Sequence, residues 1–359
     1  MKNKIISIAL IAGLAACSGG NPFESQEETT GETPDGEVVG DGQGTGIDRD
    51  GIPPGTASPS AGAAIFRSEQ KDEDEGNGYA TGMSYNSTDD TFTVDNIAFD
   101  GDRPYSRGTA VSSLSPDPEN NNQGRFAVYE APAVVIDPVN NKPINQLGYR
   151  AIYGVSRNTV ANSNGVQTPT TQFAIVRTGS YKEYGFGGFI YQRDTDVTLP
   201  NTLQATFTGH SAGLRDSKRT GLLQYTTADM TIDIDHDDFN DGTTILGDGV
   251  KGTITNRRVF DLNGDDITSD VAGTLVQGLS VLPSVVFTVG PDTLDTNGEL
   301  LLEIASNLPD ENNSAYETGM LYAIVSGEDP DEIVGVYVLE GTDGSRDTSG
   351  FIVYRDDPA

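Results

Sequence analysis

The chain has 359 residues, and its 54 acidic and 22 basic residues give a net charge of −32 at pH 7. This balance argues against a nucleic-acid partner, because contacts with phosphates need clustered lysine and arginine side chains. It also argues against a peripheral site on anionic lipid. The length is sufficient for two domains of ordinary size.

The N-terminus has the features of a bacterial lipoprotein signal peptide. Lys2 and Lys4 precede an apolar run that is shorter than the ~20 residues required by a membrane-spanning helix. The run ends in Leu14-Ala15-Ala16-Cys17, which matches a lipobox, the motif whose cysteine carries the lipid. We therefore predict that residues 1–16 are removed, and that lipid on Cys17 anchors the protein to a membrane. An ordinary signal peptide with a chance cysteine is the alternative.

Cysteine usage and the residue after Cys17 indicate the compartment. Cys17 is the one cysteine in the sequence, so the exported chain has no internal disulfide and its folded part depends on its core. Ser18 follows, whereas Asp at this position is associated with retention in the inner membrane. The predicted location is the outer membrane, and both the cell surface and the periplasmic side stay open.

Residues 17–64 are rich in Gly, Pro and acidic residues and nearly free of large apolar side chains. Such a segment buries too little surface to offset its loss of chain entropy, which predicts a disordered tether. As a flexible coil, the segment would span roughly 40 Å.

Short alternating segments separated by Asn- and Pro-rich loops occupy residues 65–194. Examples are 91–94 and 173–176, and no window shows a sustained apolar period of 3.6 residues. We predict an N-terminal domain that is mostly β. A segment containing Pro200 marks the boundary, and residues 195–359 form the predicted C-terminal domain.

Apolar and polar residues alternate most clearly between 203 and 260. Phe207 lies between threonines, and Ile232 and Ile234 lie between polar and acidic residues. This period of two predicts antiparallel strands with one buried face. Eight strands are predicted, near 203–209, 221–235, 248–258, 283–289, 299–304, 318–326, 332–340 and 349–355. The all-β fold class expected here is an eight-stranded antiparallel β-barrel, with a β-sandwich as the alternative.

Several of these strands carry a family resemblance. Phe207-Thr208-Gly209, Ile234-Asp235 and Val250-x-Gly252-x-Ile254 resemble the C-terminal barrel of the transferrin-binding-protein-B-like bacterial surface lipoproteins, and 322–327 with 332–336 is similar to that family's closing strands. The resemblance covers 203–355. It implies a handle-like N-terminal β domain before the barrel, and a protein, haem or iron-carrier ligand.

Two acidic stretches are candidate calcium sites, because calcium takes six to eight oxygen ligands. Asp233, Asp235, Asp237 and Asp241 lie around one predicted turn. The EF-hand order of Gly and Glu is absent, so an acidic hairpin loop is the alternative. A second stretch, 261–270, has the same two interpretations. No other cofactor is predicted.

The sequence predicts no arrangement for nucleophilic catalysis. His210 and Ser211 are neighbours in sequence, which does not make them a catalytic pair, and no nucleophile elbow is predicted. We expect a protein that is not an enzyme: an outer-membrane, lipid-anchored protein that captures a protein, haem or iron-carrier ligand. A structural cell-envelope lipoprotein with no discrete ligand is the alternative.

Overall fold

The computed structural model describes residues 51–99, 101–162, 164–180, 182–200, 203–235, 249–288, 293–309 and 314–356. The strands of the first part are β1 (Ile65–Ser68), β2 (Gly82–Asn86), β3 (Thr91–Asp95), β4 (Tyr105–Arg107), β5 (Ser113–Asp117), β6 (Gln123–Ala131), β7 (Val134–Ile136), β8 (Pro143–Asn145), β9 (Tyr149–Val155), β10 (Thr159–Ala161), β11 (Gln167–Pro169), β12 (Thr171–Arg177) and β13 (Gly187–Arg193), with a 3-10 turn at Pro118–Asn120. The second part contains β14 (Gln204–Ser217), β15 (Leu223–Asp235), β16 (Gly249–Phe260), helix α1 (Thr268–Leu275), β17 (Val285–Phe287), β18 (Glu299–Ser306), β19 (Glu317–Ser326), β20 (Glu332–Gly341) and β21 (Ser345–Arg355). Within these ranges, no helix has the length and apolar character needed to cross a membrane.

Strands β14 to β21 form a closed antiparallel barrel. Each strand pairs with the next, and β21 returns to pair with β14 along 207–217. The predicted barrel is therefore confirmed and the sandwich alternative is excluded. Each of the eight predicted strand positions overlaps one barrel strand.

Apolar side chains fill one half of the barrel. Phe207, Ile232 and Ile234 are buried inside it, in a cluster to which β14 to β21 all contribute. Their polar neighbours lie on the outer face, where the Thr206 hydroxyl donates a hydrogen bond of 2.6 Å to Asp233. The alternation in the sequence is thus the in–out alternation of the barrel wall.

The other half of the barrel reverses this polarity, which explains why β14 is longer than predicted. The sequence alternation ends near Gly209, but the strand continues to residue 217. Beyond that point the outward side chains of Ala212 and Leu214 are apolar, and they pack against a second sheet. The inward Ser211 is polar and reaches the hydroxyl of Tyr337 at 3.1 Å.

A buried ionic network occupies the polar half of the lumen. Arg257 donates two hydrogen bonds to the Glu317 carboxylate, at 2.6 and 2.8 Å. Asp347 lies 3.8 Å from the same guanidinium and accepts hydrogen bonds from Thr226 and Ser349. Burial lowers the pKa of Arg257, but the charge and hydrogen bonds of Glu317 and the charge of Asp347 together outweigh burial and raise the pKa above its ordinary value. The positive charge of Arg257 is therefore compensated within the lumen.

A nine-stranded sheet packs on the outside of this half of the barrel. Its order is β1-β13-β12-β9-β6-β4-β3-β2, and β5 pairs with β6. One face places Phe173 and Ile175 against the outward residues of β14, β15, β20 and β21. Gly350 on β21 admits the ring of Phe173, because an added Cβ would lie 2.1 Å from that ring. The other face has its own core, in which the rings of Phe92 and Tyr129 stack at 5.5 Å.

Buried arginines tie the sheet to the barrel. Glu69, just after β1, accepts hydrogen bonds from Arg177 of β12 at 3.0 Å and from Arg346 of β21. Nearby, Arg67 of β1 makes a bidentate pair with Glu299 of β18, at 2.7 and 3.1 Å. All five side chains are almost fully buried. Each carboxylate therefore joins a strand of the sheet to a strand of the barrel.

The folded unit begins before residue 65. The carbonyl of Pro54 accepts a hydrogen bond from Ser68 N at 2.9 Å, and that of Ala61 accepts one from Val197 N at 2.8 Å. Arg193 also donates to the Ala63 carbonyl at 2.9 Å, and burial lowers the pKa of Arg193 to about 10. Part of residues 51–64, which their composition assigned to the tether, is thus hydrogen-bonded to the folded unit, and Ala61 packs against the barrel core. The division of the chain into domains at residue 195 stays a prediction.

The barrel wall predicts unequal effects of substitutions on its two faces. Phe207→Ala removes a fully buried ring and should lower the free energy of unfolding by roughly 3–5 kcal/mol. Thr206→Ala, one residue away on the outer face, should lower it by about 1 kcal/mol or less through loss of one hydrogen bond. Denaturant unfolding of both variants measures the difference, and equal losses would contradict the in–out assignment.

The arginine ties predict a strong effect of a single carboxylate. Glu69→Ala leaves Arg177 and Arg346 buried without their shared counter-ion, and should destabilise the protein by roughly 3–5 kcal/mol. Glu73→Ala is the control, since that exposed carboxylate pairs with Lys71 at 2.7 Å in solvent and should leave the unfolding midpoint unchanged. A Glu69→Ala protein as stable as the control would show that the tie is dispensable.

Candidate functional site

Three of the residues predicted from the sequence as sites lie outside the part of the chain that the structure describes. They are the lipidation residue Cys17 and the candidate calcium ligands Asp237 and Asp241. Lipidation of Cys17 and calcium binding therefore stay predictions.

The other two candidate calcium ligands, Asp233 and Asp235, lie on the outer face of β15. Asp233 accepts the hydrogen bond from Thr206, and Asp235 accepts one from the Gln204 amide at 2.9 Å. Both carboxylates are thus used across the β14–β15 pair. Among the described residues, no three His, Cys, Asp or Glu side chains are grouped so that they could hold a metal ion.

The second acidic stretch forms a tight turn after β16. One oxygen of Asp261 accepts backbone hydrogen bonds from Asn263 at 2.8 Å and from Asp265 at 2.9 Å. The backbone hydrogen bond from Asp265 is the main reason why the pKa of Asp261 lies below its ordinary value. Asp266 forms an ion pair with Arg258. These interactions support the interpretation of the stretch as an acidic loop.

The pentapeptide 209–213, Gly-His-Ser-Ala-Gly, has the letters of a nucleophile motif but not its geometry. That motif requires a sharp turn between a strand and a helix, whereas these residues lie inside β14 and pair on both sides. His210 points outward, where its Nδ1 lies 2.9 Å from Asp229, and Ser211 points into the barrel. Neighbours in a strand face opposite sides of the sheet, so His210 cannot activate Ser211.

A hairpin formed by β7 and β8 presents apolar side chains to solvent. Val134, Ile136 and Ile144 are 48%, 58% and 40% exposed, and Val139 in the connecting turn is 90% exposed. The register places Ile136 opposite Pro143 on one face and Ile144 opposite Val135 on the other. Neither face of the hairpin is therefore covered. We call residues 133–146 the apolar hairpin.

The tip of the apolar hairpin is held in one shape by its own hydrogen bonds. Asp137 donates from its backbone N to the Lys142 carbonyl at 2.9 Å, and its carboxylate accepts from Val139 N at 2.8 Å. Asn141 has a left-handed backbone with φ of 57°, which closes the turn. Val139 is thus displayed by an ordered turn.

A groove lies at the root of the apolar hairpin. It has a volume of about 550 Å³, and Pro132, Ala133 and Leu223 contribute apolar walls. The ion pair between Arg150 and Glu130, at 3.0 Å, lines it with charge. The groove adjoins the hairpin at Ala133, which belongs to both.

The sequence contains an apolar segment that corresponds to this surface, but its pattern resembles that of an ordinary buried strand. Val-Val-Ile at 134–136 is an apolar run before a turn sequence, Asp-Pro-Val-Asn-Asn-Lys-Pro at 137–143. Such a run is ordinarily a buried strand. Its exposure arises because β7 and β8 pair only with each other among the described strands, which only the topology shows.

Comparisons with known proteins identify similar structures but no family match. No family model matches the chain, and no curated protein does. A transferrin-binding protein B variant from Haemophilus parasuis Hp5 is 9% identical with a TM-score of 0.36, covering 77% of this chain and 45% of its own. Intact transferrin-binding protein B with N and C lobes is 10% identical with a TM-score of 0.31, and the match covers 62% of this chain and 41% of that protein. A transferrin-binding protein B variant from Actinobacillus pleuropneumoniae H49 is 11% identical with a TM-score of 0.28, and the match covers 64% of this chain and 99% of that structure.

The chain thus spans less than half the length of the first of these structures. Their names state transferrin binding for those proteins. They belong to the same family that the motifs of β14, β15 and β16 resemble.

Proposed function

We propose that this chain is a lipid-anchored binding protein without catalytic activity, and that the apolar hairpin contacts a protein partner. The observation that carries the proposal is the exposure of aliphatic side chains on both faces and at the tip of one ordered hairpin. Exposed apolar surface of this kind is unfavourable in water, at roughly 25 cal/mol per Å², unless a partner covers it. The groove at its root supplies the polar margin that protein interfaces have.

The composition of the apolar hairpin favours a protein over haem as the ligand. Haem iron is held by His, Cys, Met or Tyr side chains. None of these occurs between residues 131 and 147, which include the whole hairpin. Exposed Val and Ile side chains beside backbone polar groups are complementary to the surface of a polypeptide instead.

The net charge of the chain adds a property of the partner. With 54 acidic residues against 22 basic ones, the protein attracts basic surfaces over a distance and repels acidic ones. The partner that fits is a protein whose contacting surface has an apolar centre surrounded by lysine or arginine.

The proposed anchor explains how the surface reaches its partner. Lipid on Cys17 would hold the chain at the outer membrane, since acyl chains contribute about 0.8 kcal/mol per buried CH₂. Residues 18–50 of the predicted tether lie outside the described residues, and as a flexible coil they would span roughly 30 Å. The folded unit would then stand away from the membrane surface.

Crosslinking from the hairpin tests the contact. A photoreactive amino acid at position 139, in cells that express the full-length protein, should give a discrete crosslinked polypeptide. The same amino acid at position 251, on the exposed outer side of β16, should give none, because it lies on the barrel wall. Ile136→Ser in the same chain should weaken the adduct at 139 by roughly tenfold, through loss of apolar contact. An adduct that is absent, or equal at both positions, would contradict the proposed surface.

Protease treatment of intact cells tests the location. Digestion of the folded unit in intact cells is expected if the binding surface faces the medium. Digestion only after the outer membrane is broken would rule out capture of an external partner, and would favour the structural role inside the envelope.

A further inference from the structure

A cleft on the flank of the barrel is separate from the apolar hairpin. It has a volume of about 860 Å³ and lies between the outer face of β15 and β16, the start of helix α1 and the edge of β5. Sites for small molecules have volumes of roughly 300–1,000 Å³. The cleft is therefore large enough for a small ligand, and the second acidic stretch contributes Asp266 to its lining.

The barrel is locally irregular where the cleft opens. Thr227 pairs with Arg258 and Asp229 with Thr255, so two residues of β16 face one residue of β15. This is a β-bulge, a feature that re-aims side chains and is frequent beside functional sites. Asn256 in the bulge has a φ of 49°. The bulge turns its amide onto Asp229, to which it donates a hydrogen bond of 2.5 Å.

A second left-handed residue lies across the cleft. Ser115 of β5 has a φ of 54° and is buried. Residues other than glycine adopt this backbone at a cost, and such positions cluster at binding sites. Its hydroxyl donates to the Ser211 carbonyl at 3.3 Å, which fixes β5 against β14 and forms one wall.

Planar polar groups line the cleft in pairs. Asp229 accepts from Asn256 and faces His210 at 2.9 Å, and Arg258 pairs with Asp266. Hydroxyl groups are added by Thr227, Thr255, Ser269, Ser280 and Ser284. Pro116, Val281 and Leu282 contribute apolar surface. The cleft thus combines fixed donors, fixed acceptors and hydroxyls that can act as either.

We propose that this cleft binds a neutral carbohydrate. A sugar carries adjacent hydroxyls that are both donors and acceptors, and these match carboxylate, amide and guanidinium groups held side by side. Its C–H faces match the apolar residues of the wall. The charged side chains of the cleft already have partners within the protein, since Arg258 pairs with Asp266 and Asp229 accepts from Asn256, which disfavours an anionic ligand.

A glycan array tests the ligand class. Full-length protein purified in detergent is applied to immobilised neutral and acidic oligosaccharides, and the neutral sugars that bind are then titrated in free form by calorimetry. Binding to neutral sugars is expected. Binding of immobilised glycans alone identifies a glycan displayed on a larger molecule, and binding of free sugars as well identifies a soluble saccharide.

Two aspartates on the same face of β15 supply the variant and its control. Asp229→Ala should weaken binding of the neutral sugar by at least about tenfold, whereas Asp233→Ala, outside the cleft, should change it less than about twofold. If Asp229→Ala does not fold, Ser280→Trp fills the cleft from an exposed position and should abolish binding. No binding to neutral sugars, preference for acidic ones, or equal losses in the two aspartate variants would overturn the proposal.

Discussion

The contact between the outer wall of the barrel and the nine-stranded sheet is the constraint on which the rest of the structure depends. Where the sheet covers the barrel, Ala212 and Leu214 face outward from β14 and pack against it, whereas the inward side chains of Ser211 and Ser349 are polar. The sheet and barrel therefore share one core, and the lumen beneath it must be satisfied by hydrogen bonds. The ion pair of Arg257 with Glu317 fills that requirement.

Buried charges at this interface act on geometry more than on net stability. Removing charged groups from water offsets most of the attraction between them. A bidentate pair such as Arg67 with Glu299, however, has one favourable arrangement, and any sliding of the sheet along the barrel would break it. We infer that these pairs fix the register of the two layers. They thereby fix the direction in which the apolar hairpin projects from β6 and β9.

The sequence predicted the barrel well and its surroundings poorly, for a physical reason. Period-two alternation located all eight strands, since Phe207 and Ile234 face a dry lumen. It failed at the end of β14, where Ala212 faces the sheet and the alternation changes sense. It also missed the pairing of His210 with Asp229, because residues 19 positions apart become neighbours only through the register of β14 with β15. The backbone hydrogen bonds made by Pro54 and Ala61 were also not foreseen, because such bonds leave no compositional signal.

The two proposed binding regions differ in how they depend on the fold. The apolar hairpin contributes little to the core, so its side chains can vary without unfolding the protein, and specificity for a partner can reside there. The cleft is built into the barrel wall, since the bulge at Asn256 also sets the register with which Arg257 and the following residues of β16 pair with β15. A change that straightened the bulge would disturb the cleft and the ionic lumen together. Specificity in the cleft is therefore constrained by the barrel, whereas specificity at the hairpin is not.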